Sequence, residues 1–320
     1  MAKQFIIVTV KENCSLSVFN AGSGEKIHEI TVGIPGVGKP HEITLSADKS
    51  KAFISLYGDK SYQPENTPWN QVAVVDLKTW TLLGHIDLNL YRGPHGMATD
   101  SEGKIWVTVD PNDSCLVIDP ESWEIERTIW YKAPGHFIAP SPPNSPFGEK
   151  MYISHKEYPV VTEVDVATKQ ITAQISLPVG GQGLACAPDG RHLFVGDFHR
   201  SLLHIVDLEK QAHTDTVPLT AVPGWPFPSK DGNYLVVNTY DESNDKGYCE
   251  IFNGKDLSEK KVIELPAEPF HLLYTADNTE AYAALADGQI IKINLAKAEI
   301  IDGGFHAGGK MPEALMFVEG

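Results

Sequence analysis

The chain has 320 residues, 42% of them hydrophobic and 21% charged, enough apolar material for a sizeable core. Its formal net charge of −16 repels phosphate backbones and anionic bilayers, so neither nucleic acid nor a membrane is expected as a partner. The apolar stretch Phe5–Val10 is too short for a secretory signal, and no run approaches the roughly 18 apolar residues of a membrane span, so the sequence reads as cytoplasmic.

In chain order, three strands come first: QFIIVTV, SLSVFNA and KIHEITV. A longer unit then repeats. It opens on Gly or Pro and a polar residue, followed by an apolar strand, an Asp/Gly turn, a second strand, a loop and two more strands. The opening strand and turn recur as KPHEITLSADKS, GPHGMATDSEGK, PGHFIAPSPPNS, GGQGLACAPDGR, PGWPFPSKDGNY and EPFHLLYTADNT, and a seventh copy, MPEALMFVEG, ends the chain. The residue after each Gly/Pro gives a marker series: His41, His95, His136, Gln182, Gly224, Phe270 and Glu313, spaced 54, 41, 46, 42, 46 and 43 residues apart. Alternating β-branched residues bounded by Asp, Asn and Gly indicate strands, and four strands per period in the forties indicate a propeller blade. The sequence therefore predicts one all-β domain over residues 1–320, a seven-bladed β-propeller of four-stranded antiparallel blades. The orphan strand ALMFVEG should pair with the three N-terminal strands and close the ring, which removes two sheet edges.

The units VAVVDLKTWTLLGHI, TEVDVATKQITAQI and LHIVDLEKQ resemble the YVTN-type repeat, in which a D-x-x-T/S turn joins the last two strands. That resemblance implies a superfamily containing surface-layer proteins, amine-dehydrogenase heavy chains, streptogramin lyases and muconate-lactonising enzymes. It implies lyase, lactone-opening or isomerisation chemistry on a small organic molecule.

Marker positions and the loops after the second strands should share one mouth of the channel. Histidines concentrate there: His41, His95 and His136 at markers, His271 one residue beyond a marker, His155 and His199 on loops, and His306 before the last strand. Neutral imidazole is the commonest protein ligand for transition metals. The expectation is a divalent ion (zinc, iron, copper or manganese) held by His41, His95, His136, Glu313 and His271, with His155 and His199 moving protons. Tyr57, Trp69, Trp225, Phe270 and Gln182 are expected to contact a small-molecule substrate. The long insertion LYGDKSYQPENTPWNQ is a candidate lid. Two other functions fit the same residues: an oxidase or oxygenase with histidine-bound copper or iron, and a noncatalytic propeller that binds a ligand or protein.

Competing motifs are weak. GIPGVGKP lacks the GK[ST] ending of a phosphate loop, and there is no GxSxG elbow and no CxxCH haem site. The cysteines Cys14, Cys115, Cys186 and Cys249 lack CxxC spacing and read as reduced, buried thiols.

Overall fold

A computed structural model describes residues 4–59 and 67–319. The fold is all-β: seven four-stranded antiparallel sheets form the blades of a β-propeller, and the one helical element described is a single 3-10 turn at Asp110–Asn112. Blade one carries both ends of the chain. Its innermost strand, Pro312–Glu319, pairs with Gln4–Val10, which continues to Ser15–Asn20 and Lys26–Thr31. The closure expected from the orphan strand is thus present, with Phe5 opposite Val318 and Ile7 opposite Met316. No helix among the described residues is long and apolar enough to cross a membrane.

Packing divides the chain into two compact units. One comprises Met1–Lys132, Ala286–Ile290 and Gly303–Gly320 and holds blades one to three; the other, Ala133–Leu285 with Ile291–Asp302, holds blades four to six and most of seven. In each unit the burial of a strand follows its rank in the blade. Second strands such as Lys51–Gly58 and Ile105–Val109 are covered on both faces and read as apolar runs interrupted by a single hydroxyl residue, Ser55 or Thr108. Outermost strands such as Lys26–Thr31 and Gln170–Ser176 bury little besides Ile30 and Ile175. The cores lie between neighbouring sheets. Phe5, Ile7 and Leu16 meet Ile54 and Ala73 in the first unit, and Val236 and Ile251 meet Leu272 and Ala283 in the second.

The Asp or Asn that ends each third strand has a mechanical reason. Asp76 Oδ1 accepts from the amides of Lys78 and Thr79, and Asp119 Oδ1 from those of Glu121 and Ser122. Asn20, Asp165, Asp207, Asn253 and Asn294 accept from turn amides in the same way. These Asx turns satisfy amides that the reversal takes out of the ladder, and they account for the D-x-x-T/S signature.

Inner strands carry a second device. In six blades the inner strand's register shifts at the marker, between Pro312 and Leu315, Pro40 and Ile43, Pro94 and Met97, Gly181 and Leu184, Pro223 and Pro226, and Pro269 and Leu272. A bulge re-aims the marker side chain and removes backbone groups from the ladder. A polar side chain on the second strand takes them up. Ser55 Oγ accepts from Glu42 N, Thr108 Oγ1 from Gly96 N, Ser154 Oγ from Phe137 N and Thr9 Oγ1 from Ala314 N. In the other direction Thr9 donates to His41 O, Ser154 to Gln182 O and Asn238 to Phe270 O. Every marker but Gly224 is thereby tied to a second strand through its backbone, which leaves its side chain free to differ from blade to blade.

Candidate metal centre

In the first unit the bulges bring His41 and His95 together. Their rings are 4.2 Å apart between centroids, and both residues are buried. Tyr57 stands edge-on to both, at 5.7 Å from His41 and 5.1 Å from His95. It lies two residues beyond the tether Ser55, at the end of its second strand. The same step from Thr108 reaches Asp110, buried in the 3-10 turn that Pro111 opens, with Asp113 at positive φ closing it. The Tyr57 hydroxyl donates to Asp110 Oδ2 over 3.3 Å. From Thr9 the same step reaches Lys11, whose ammonium pairs with Glu313 at 2.5 Å, both side chains being about 95% buried.

One ring nitrogen each from His95 and His136 and one carboxylate oxygen from Asp110 lie within 4.8 Å of one another, and all three residues are buried. Donors held at about 2.0–2.2 Å from a common ion are about 3–3.5 Å apart, which lies within that bound. Two imidazoles and a carboxylate form a donor set used by catalytic zinc and by non-haem iron. This cluster could bind a metal ion.

Glu42 completes the first unit's arrangement. Its Oε1 is 3.4 Å from His41 Nδ1, and Glu313 Oε2 is 3.7 Å from the same nitrogen. Burial, reinforced by the negative charge of Glu313 and only partly offset by Lys11, pushes the Glu42 carboxyl up to about 8. It therefore carries a proton at neutral pH.

The remaining expected residues fall in other places. Glu313 is held in the ion pair with Lys11. His271 is half-buried with its ring edge-on to Phe227 at 5.2 Å, outside the cluster, and burial lowers its pKa to about 4. As the residue after a marker it points sideways into the layer between blades. His155 is buried, with Nδ1 bonded to Pro134 O and Nε2 to Thr162 Oγ1. Burial lowers its pKa to about 4, so it is a neutral strut between two loops, which does not suit proton transfer. Trp69 is partly buried against the core of its unit and donates to Gln71, which makes it a wall of the blade rather than a lid. The lid candidate falls mainly on residues 60–66, outside the described residues. His306 accepts from the Gly308 amide. In the second unit His199, Gln182 and Trp225 line one pocket of about 740 Å³, whereas Phe270 is buried. All four cysteines are free; Cys14, Cys115 and Cys249 are buried as expected, whereas Cys186 is half-buried, and burial pushes Cys249 up to about 12.

Asp110, Lys11 and Glu42 were not singled out from the sequence. The available signal was parity. Counting two residues on from Thr9, Ser55 and Thr108 gives Lys11, Tyr57 and Asp110, whereas one residue on from Ser154 gives the buried His155.

No protein-family model and no curated protein sequence matches the chain. Among solved structures, a functionally unknown protein from Desulfotomaculum acetoxidans superposes with a TM-score of 0.73 at 12% identity, covering 98% of each chain. Hydrazine synthase from Kuenenia stuttgartiensis superposes with a TM-score of 0.66 at 18% identity, over 82% of this chain and 78% of that one. These likenesses define the class, a seven-bladed propeller, and at such identities they reach no further than the fold.

Proposed function

We propose that the chain is a metalloenzyme that holds one divalent transition metal on His95, Asp110 and His136 and acts on a small organic molecule. The observation that carries this reading is the convergence of three buried donor atoms within 4.8 Å. Burial matters because unscreened ligands bind an ion more strongly than a solvated acidic patch does. The ion would supply Lewis acidity toward a carbonyl or carboxylate.

The chain's own residues have separate tasks. Tyr57 donates to Asp110 and so orients its carboxylate, as an outer partner does in known metal sites. His41, with its ring tilted against that of His95, restricts how the His95 ring can turn. Glu42 stores a proton beside His41 Nδ1, and a carboxyl near neutrality is the kind used as a general acid. Lys11 balances Glu313, so that the second carboxylate stays a fixed charge. This set favours proton-shifting chemistry of the lyase, lactone-opening or isomerisation type, which the YVTN-like repeats also imply. The donor set itself favours a second reading, iron-dependent oxygen chemistry, since two histidines and one carboxylate are the ligands of non-haem iron oxygenases.

The test is metal content by plasma mass spectrometry after incubation with zinc, manganese, iron and copper. Wild-type protein should retain close to one ion per chain. His95→Ala and Asp110→Asn should each lose at least about tenfold in affinity while keeping the wild-type circular dichroism. Absence of metal from the wild type under every condition would overturn the proposal, and iron as the retained metal would select the oxygenase reading.

A further inference from the structure

The second unit contains a pocket that the metal reading does not use. Its origin is a missing side chain. Neighbouring blades place Gln182 and Phe270 at their markers, whereas blade six has Gly224. A Cβ built on Gly224 would meet only Asn238 O, at 3.8 Å, so the position opens onto free space. The next residue, Trp225, packs against Gly183, where a Cβ would come within 2.3 Å of the indole. Glycine in one blade thus seats the tryptophan of the next, and the pocket of about 740 Å³ forms between them.

Three residues of its lining each hold a buried polar atom that has no hydrogen-bond partner among the described residues: Trp225 Nε1, Gln182 Oε1 and Asn238 Oδ1. Asn238 is wholly buried, and its amide nitrogen is committed to Phe270 O, which fixes the oxygen as the free end. Leaving such atoms unmet is costly, and all three belong to residues around this one cavity, where a small shift of a side chain would let a polar ligand meet them. The set offers two acceptors and one donor.

The charge of the rim is one-sided. Asp241, Glu242 and Glu268 line the pocket, and no lysine or arginine does so among the described residues. Ser243 and Asn244 donate to Asp241 and keep its carboxyl below the usual range, so it stays anionic. The indole of Trp225 adds an aromatic surface that suits a cation.

We propose that this pocket binds a small primary ammonium compound that also carries one hydrogen-bond acceptor, such as an amino alcohol. The ammonium donates to Gln182 Oε1 and Asn238 Oδ1 beneath the carboxylate rim, and the acceptor takes the Trp225 indole N–H. This inference is independent of the metal proposal.

The test is isothermal titration calorimetry with three probes of equal chain length: 5-amino-1-pentanol, 1,5-pentanediol and 5-hydroxypentanoate. The amino alcohol should bind saturably with a Kd of about 1 mM or tighter, and the diol and the carboxylate at least about tenfold more weakly. Gly224→Leu fills the pocket and should abolish binding. Glu242→Gln with Glu268→Gln, at exposed and half-buried positions, should weaken it about fivefold and reduce its salt dependence, which guards against misfolding of the leucine variant. Titrations run with chelator and with His95→Ala should match the wild type. No saturable heat with the amino alcohol, equal binding of the diol, unchanged affinity in both pocket variants, or loss of binding in His95→Ala would each overturn the assignment.

Discussion

Replacing Glu42 by Gln isolates one buried proton. In the unfolded chain this carboxyl titrates at its ordinary 4.5, and in the folded protein burial and Glu313 raise it to about 8. Below pH 4.5 both states hold the proton and the group has no pH-dependent effect. Between 4.5 and 8 the folded state keeps a proton that the unfolded state has lost. Folding then takes up protons, and stability falls as the pH rises, until above 8 the whole penalty is present. For a rise from 4.5 to about 8 that penalty is about 5 kcal/mol. Gln keeps the shape and hydrogen-bonding capacity of the protonated acid and cannot ionise. The variant should therefore come within about 1 kcal/mol of the wild type at pH 5 and exceed it by up to about 5 kcal/mol at pH 8.5, which for a chain of this length is about 7 °C in Tm. Thermal melts of both proteins from pH 5 to 9, checked by urea midpoints at the two ends, give the difference curve directly. A difference that is flat with pH, or that favours the wild type at high pH, would refute the assignment of a raised carboxyl to Glu42.

Two further outcomes test the surroundings of the same site. Tyr57→Phe removes the donor to Asp110 Oδ2 without emptying the ring's place beside His41 and His95, so metal affinity should fall about tenfold to a hundredfold in a competition titration while Tm moves little. Lys11→Met takes the ammonium away from buried Glu313 and should destabilise by about 3–5 kcal/mol in urea unfolding, and adding Glu313→Gln should restore most of that loss.

The fold was legible because its signals are local and repeated. Every third strand ends on an Asx turn, every period carries the same apolar second strand, and the unpaired strand at the C-terminus had one place to go. The site was legible only in part, because it depends on which way a side chain points. His41 and His95, both expected as ligands, lie side by side because both occupy the bulged marker itself, but the possible ligand cluster takes His95 with His136 and Asp110 and leaves His41 out. His155 and His271 were placed by residue type at positions one step out of phase, and in a strand one step reverses the side chain's direction. Asp110 escaped notice because DPND reads as an ordinary turn until Thr108 is recognised as the tether that sets its phase.

The tether also explains how one scaffold supports two unlike surfaces. In a plain strand, a glycine or histidine at an inner position would alter the ladder that holds it. Here the amide after the marker, the marker's own carbonyl, or both are bonded by Thr9, Ser55, Thr108, Ser154 or Asn238, so the marker side chain contributes little to the frame. Histidine at two successive markers of the first unit then builds a titratable cluster, and glycine at one marker of the second opens a cavity, without either choice disturbing strand pairing. Blade five tests the logic from the other side. It has Gly196 at the tether position, where a Cβ would approach Pro223 to 3.2 Å, so the space a hydroxyl would fill is taken by the residue that precedes Gly224. The one blade whose neighbour opens a pocket is also one that gives up its tether, which makes the pocket a feature of packing between two adjacent blades rather than of a single substitution.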